Sequence, residues 1–145
     1  MTAASTPAPP PPDFATEVVI LTNAERAKAG CPALAISPQL TQAAQDHSTD
    51  MAINDYFSHY SLDGRTPWDR IRATGYSYAR AAENIAAGYN SPASVVAGWM
   101  NSDGHRANIL NCALTEIGVG YTYLSPDIGS VNYHHYWTQV FATPQ

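Results

Sequence analysis

The chain has 145 residues, of which 45% are hydrophobic, which is the size and apolar content of one domain with one core. Only 13% of residues are charged, and seven Lys and Arg against twelve Asp and Glu leave a net charge of −5. A nucleic-acid-binding function is excluded by this balance, because such proteins grip phosphates with clustered cations. No run of eighteen apolar residues occurs, so the sequence predicts no transmembrane segment.

The first thirteen residues differ in composition from the rest. Residues 1–12 hold five of the eleven prolines, and such a tract favours extended conformations with nothing to bury. We expect residues 1–13 to form a disordered Pro-rich spacer and residues 14–145 to form one domain. The chain as given opens without a basic, apolar leader. We interpret the spacer as the segment that joined an exported domain to its leader, and we expect that leader to have been removed.

Four helices are predicted from apolar spacing and capping residues. The first spans Phe14–Ala29 and ends at Gly30. The other three open with a Ser or Thr cap followed by proline in the first turn, at Ser37, Thr66 and Ser91. A short helical run is also expected at residues 106–110.

The apolar period changes to two after residue 114. Residues 117–123 and 131–141 are rich in β-branched and aromatic side chains, which predicts a hairpin or an adjacent antiparallel pair. Gly118 and Gly120 lie in the first of these strands, where a missing side chain indicates that another backbone comes close. Helices first and strands last predict an α+β domain.

Cys31 and Cys112 are the only cysteines. Neither lies in a CxxC or Cys/His cluster, so a structural zinc site is not indicated. We expect the two to form a disulfide, which would close a loop of about 80 residues; two buried free thiols are the alternative.

Among the five histidines, three are interpreted as structural. His47 shares an apolar stripe with Leu40 and Met51 and is expected to be a hydrogen-bonded core histidine. His134 and His135 are adjacent on a predicted strand, so their side chains should point to opposite faces. Surface or packing roles are expected for both.

Three other residues are candidates for a site. His59 stands in a polar loop after the second helix, and loops often carry function. Glu83 is a lone carboxylate among small and apolar residues, so it must be paired or hydrogen-bonded if buried. It can be a partner in a helix N-cap, a ligand or a general base. His105 opens the short helical run, where the helix N-terminus favours neutral imidazole.

Five short sequence motifs resemble those of the bacterial secreted branch of the CAP superfamily, also called the SCP or pathogenesis-related-1 family. They occur in the family's order along the chain. They cover roughly residues 15–142. The resemblance implies a three-layer α-β-α sandwich with a central antiparallel sheet, and an extracellular or cell-surface location. The motifs are Tyr56–His59, Ala82–Ala86, Trp99–Leu110, Glu116–Tyr121 and Tyr136–Phe141.

The resemblance also implies a cleft with two histidines and two acids, which in some members takes up zinc or another divalent ion. His59, Glu83 and His105 match the first three positions and are the expected metal ligands, in the open three-ligand arrangement that leaves a place for water. The second acid is missing, because Ser102 occupies its position with Asp103 beside it. Ser102 and Asp103 are kept as candidate cleft residues.

On this basis we expect a non-catalytic, monomeric binding domain whose cleft holds a divalent ion or a small ligand, with lipid or sterol binding on its apolar surface. The alternative is a metal-dependent hydrolase acting on peptide or cell-envelope material. No HExxH helix or nucleophile elbow is present in the sequence, and a paired Cys31 and Cys112 would offer no nucleophile. In a third interpretation the three residues form only a structural hydrogen-bond network.

Overall fold

The computed structural model describes residues 13–145. The expected spacer lies outside these residues, apart from Asp13, whose side chain accepts from Thr16 N and caps the first helix. The helices are α1 (Phe14–Lys28), α2 (Pro38–Ile53), α3 (Pro67–Ala73), α4 (Pro92–Met100) and α5 (Asp103–Ile109). The strands are β1 (Ala35–Ile36), β2 (Tyr78–Ala87), β3 (Glu116–Tyr123) and β4 (His135–Pro144).

The four strands form one sheet in the order β1-β3-β4-β2. β4 pairs antiparallel with β2 and β3 on either side, whereas the two-residue β1 pairs parallel with β3. The sheet is therefore mixed, and β2 is an edge strand. The α+β class and the sandwich expected from the resemblance are confirmed, with β1 as the parallel addition.

Helices cover both faces of the sheet. α2 packs on one face, with α3 beside it, and α1, α4 and α5 pack on the other. Alternate residues of β4 serve the two layers: Trp137 and Phe141 join the core under α1 and α4, whereas Val140 and Ala142 join the core under α2. This period-two division is what a strand buried on both faces requires.

The two strand glycines allow α2 to lie directly on β3. A Cβ at Gly118 would stand 2.1 Å from the backbone carbon of Leu40, and one at Gly120 would stand 2.4 Å from that of Ala44. Backbone atoms cannot move aside as a flexible side chain can, so the predicted close approach is confirmed.

The periodicity predicted neither the two-residue strand β1 nor the ten-residue strand β2. The Ala, Glu and Asn residues of β2 are poor strand formers, yet this strand pairs with β4 along almost its whole length. Pairing and burial between two helical layers therefore outweigh local preference.

The N-cap interpretation of Glu83 is wrong, since this residue lies in a strand. α5 also begins earlier than expected, so His105 is its third residue.

The C-terminal histidines do not alternate as expected. His134 has a left-handed backbone with φ of 67° and precedes β4, which begins at His135. The change of chain direction places both imidazole rings beside Tyr123. Because His134 lies outside the strand, the strand alternation that predicted opposite faces does not apply to this pair.

Cys31 and Cys112 form a disulfide across a sequence separation of 81 residues. It joins the segment after α1 to the segment after α5, beside the buried Arg26, which donates to Ile109 O and Pro32 O. Of the two alternatives left by the sequence, the disulfide is the correct one. No helix within residues 13–145 has the length and apolar content needed to cross a bilayer.

We expect the variant Cys31→Ala/Cys112→Ala to lose about 4 kcal/mol of unfolding free energy, because the bridge restricts a long loop in the unfolded chain. Urea unfolding of the oxidised protein and of the variant measures the difference. Adding reductant should leave the variant unchanged, and an equal midpoint for both proteins would contradict the expectation.

Candidate functional site

The site lies along the outer edge of β2, where both helical layers reach the end of the sheet. Glu83 faces the α2 and α3 side, and its carboxylate accepts from His59 Nδ1 at 2.8 Å and from Arg70 Nη2 at 3.0 Å. The side chains of Glu83 and Arg70 are only 3% and 5% exposed. The paired state that a buried carboxylate needs is thus supplied by an arginine that the sequence analysis had not singled out.

Arg70 also fixes the loop that carries His59. Its guanidinium donates to His59 O at 2.8 Å and to Ser61 Oγ at 3.0 Å. The residue lies in α3, whose start is held by the reciprocal capping box of Thr66 and Asp69. One short capped helix therefore orients both the loop and the carboxylate.

His47 also holds the loop that carries His59. It is 1% exposed, and its Nε2 donates to Ser58 O at 2.8 Å, one residue before His59. Burial lowers the pKa of His47, although the nearby Glu83 charge opposes the shift. The expected core histidine is confirmed, with the added role of anchoring the His59 loop.

His105 reaches the edge of β2 from α5, in the other layer. Its backbone carbonyl accepts from Asn84 Nδ2 at 3.1 Å, and Asn108 Nδ2 donates to Asn84 Oδ1 at 2.9 Å. Burial lowers the pKa of His105, and the neighbouring His59 lowers it further. Near neutral pH the His105 ring therefore carries an unprotonated nitrogen.

Two clefts lie end to end along β2. The first cleft has a volume of about 340 Å³ and is lined by residues that include His59, Tyr60, Trp68, Glu83 and Asn108. The second cleft has a volume of about 300 Å³ and is lined by residues that include Phe57, Tyr89, Trp99, Ser102, His105 and Tyr133. His59 and Glu83 thus belong to one cleft and His105 to its neighbour.

The two residues at the position of the missing acid differ in placement. Ser102 lines the second cleft. Asp103 has a 96% exposed side chain, accepts from Arg106 Nη2 at 2.7 Å and lines neither cleft. Asp103 therefore does not replace the missing acid in this arrangement.

The carboxylate oxygens of Glu83 are already engaged. Oε1 accepts from His59 and, at 3.3 Å, from Arg70, while Oε2 accepts from Arg70. Within residues 13–145, no three His, Cys, Asp and Glu side chains are grouped so that they could hold a metal ion. The arrangement makes Glu83 a partner that orients His59: with a hydrogen on Nδ1, the ring offers Nε2 to a ligand.

Residues 19–141 match the model of the CAP family, described as the cysteine-rich secretory protein family. The chain belongs to this family. The CAP domain is 45% identical to the uncharacterized protein YkwD of Bacillus subtilis strain 168 over 88% of the chain and 46% of that protein. It is 38% identical to the uncharacterized membrane protein YlbC of the same strain over 72% of the chain and 30% of that protein. The chain thus spans less than half the length of these two relatives.

Solved structures show the same fold. An extracellular protein of Bacillus anthracis with an SCP domain matches with a TM-score of 0.77 and 33% identity, over 94% of this chain and 45% of that one. An outer surface protein of Borrelia burgdorferi matches with a TM-score of 0.79 and 23% identity, over 92% and 97% of the two chains. At that lower identity the likeness concerns the fold alone.

We expect Arg70→Met to cost about 3 kcal/mol of unfolding free energy, because it leaves a buried carboxylate without its cation. The double variant Arg70→Met/Glu83→Gln should cost less than the sum of the single changes, which a urea-unfolding mutant cycle measures. Arg72→Met is the matched control on the same helix: its contacts with Asp69, at 3.8 Å, and with the Tyr78 hydroxyl, at 2.6 Å, are both exposed, so the loss should stay below about 1 kcal/mol. Additive effects of Arg70 and Glu83 would refute the coupling.

Acidification should destabilise the fold through His47. Because the folded pKa of His47 is lowered, the unfolded state binds more protons once the pH falls below about 6.5. The effect is absent well above that pH and grows as the pH falls. Urea unfolding at about pH 7.5 and at about pH 5.5 brackets that value and measures the free energy of unfolding on each side of it. Between the two pH values, His47→Gln should lose less unfolding free energy than the wild type. An identical loss in both would contradict the role of this residue.

Proposed function

We propose that this CAP domain is an extracellular or cell-surface binding module that holds a small ligand between His59 and His105, along the edge of β2. The observation that carries the proposal is the His59–Glu83–Arg70 network. It buries a complete ion pair to fix one partly exposed imidazole on an open cleft.

The clefts favour binding over turnover. Both cysteines are held in the disulfide, so neither supplies a thiolate. Both carboxylate oxygens of Glu83 already accept hydrogen bonds from Arg70 and His59, so this group orients His59 and is not free to contact a substrate. The His59–Glu83 contact is also the arrangement that orients a general base, and it is the feature on which the alternative hydrolase function rests.

The proposal includes binding of the divalent ion that the sequence resemblance implies. His59 and His105 each offer an imidazole nitrogen, which zinc prefers, and Glu83 would fix the first ring from behind as metal-bound histidines require. An ion held in this way would fill its remaining positions with water or ligand, and Ser102 is the polar side chain beside His105 in the second cleft.

The extracellular assignment rests on chemistry and on relatives. Disulfides persist in oxidising compartments, and the matched B. anthracis protein is described as extracellular. A lipid remains the expected ligand for apolar surface, and the second cleft offers the exposed rings of Phe57, Tyr89 and Tyr133 for this purpose.

Calorimetric zinc titration tests the imidazole pair. We expect His59→Ala and His105→Ala each to weaken zinc binding at least about tenfold, or about 1.4 kcal/mol, because each removes one nitrogen ligand. His134→Ala is the matched control, since His134 lines neither cleft. Equal affinity in all four proteins would remove the ion from the proposal.

A further inference from the structure

The two clefts follow one another along β2, and we call them together the edge groove. Ala81–Glu83 line the first cleft and Ile85–Ala87 line the second. Six strand steps of about 3.3 Å make the groove roughly 20 Å long. Asn108 and His105, one turn apart on α5, line the first and second clefts respectively, so the two hollows share one helical wall.

Exposed aromatic rings are concentrated in the edge groove. Seven aromatic side chains within residues 13–145 are more than a third exposed, and five of them line the two clefts. Tyr60 and Trp68 lie in the first, and Phe57, Tyr89 and Tyr133 in the second. Exposed rings gathered in one place, instead of scattered singly, are typical of a binding surface.

One of these rings is held in position by the fold. A Cβ at Gly98 would stand 2.5 Å from the Tyr89 hydroxyl oxygen, so the ring of Tyr89 packs directly on the backbone of α4. Trp137 Nε1 donates to Tyr89 O at 2.7 Å and fixes the backbone of the same residue. The fold thus fixes the position of Tyr89 as a lining residue of the groove.

The polar groups of the edge groove suit an uncharged ligand. Apart from the imidazoles, Glu83 is the only lining residue of the described chain that carries a formal charge, and Arg70 neutralises it. His59 gives its Nδ1 hydrogen to Glu83, which makes Nε2 an acceptor in the neutral ring. Asn108 lines the same cleft, and its amide is held by Asn84.

Two kinds of peptide fit this groove poorly. A strand added to β2 would need the outward carbonyls of Glu83 and Ile85, but Asn108 Nδ2 and Trp99 Nε1 already bond to them, at 3.5 and 3.1 Å. A proline-rich peptide suits aromatic grooves, but proline has no N–H to give to the His59 acceptor.

We propose that the edge groove binds an unbranched, uncharged β-1,4-linked glycan. Each pyranose ring has an apolar face of C–H groups that stacks on an aromatic ring, and a rim of hydroxyls that both donate and accept. A hydroxyl can therefore donate to His59 Nε2, which proline cannot do. The β-1,4 linkage keeps successive rings in an extended chain, which suits clefts that follow one another along a single strand. The inference rests on the proposed binding function and names the ligand class of the same site.

Calorimetric titration with cellotetraose and with tetra-N-acetylchitotetraose tests the inference. At least one should bind with a Kd below about 1 mM, and the curved α-1,4 isomer maltotetraose should bind at least fivefold more weakly than cellotetraose if cellotetraose is the ligand. Trp68→Ala and Tyr133→Ala, one in each cleft, should each weaken binding tenfold or more. Tyr123→Ala is the matched control, because this ring is 58% exposed but lies outside both clefts. Thermal unfolding checks that the variants remain folded.

The outcomes separate this inference from the proposed function. Absence of saturation by both β-1,4 probes up to about 5 mM overturns the glycan, as does binding that Trp68→Ala and Tyr133→Ala leave unchanged. If zinc binding still depends on His59 and His105 in that case, the proposed function stands without the glycan. If neither sugar nor zinc binds, both fail. Groove-dependent binding of hexaproline or oleate without sugar binding would replace the glycan by a peptide or a lipid.

Discussion

The buried ion pair of Arg70 and Glu83 is the constraint on which the site depends. Removing both charges from water is costly, and their attraction offsets this cost only when the remaining hydrogen-bonding groups are also satisfied. Here the guanidinium has further acceptors in the loop and the carboxylate has the ring of His59. Satisfying this one pair therefore fixes α3, the His59 loop and β2 relative to one another.

The edge position of β2 explains why the site is open. An edge strand exposes backbone groups on its outer side, which proteins cover to prevent pairing with other chains. In this domain Trp99 and Asn108 cover two of the carbonyls with side-chain hydrogen bonds. The same two side chains line the clefts, Asn108 the first and Trp99 the second.

The fold and the site carry different kinds of information. Family membership follows from a match over residues 19–141 and agrees with the three-layer structure. The activity has to be argued from the residues of the clefts, because one fold can support several functions. In this chain those residues are two imidazoles, a neutralised carboxylate and a group of exposed rings, with serine where the resemblance expects a second acid.

Local rules of capping and periodicity predicted most of the helices and the two long C-terminal strands. Caps and first-turn prolines located α2, α3 and α4, period-two alternation located β3 and β4, and the ordered motifs selected His59, Glu83 and His105. The folded structure makes an alanine-rich segment the edge strand β2 and makes Arg70 the partner of Glu83. It also turned Asp103 to solvent and divided the imidazoles between adjoining clefts. The physical reason is that pairing along β4, burial of charge and the meeting of two helical layers join residues far apart in the chain, which no local pattern records.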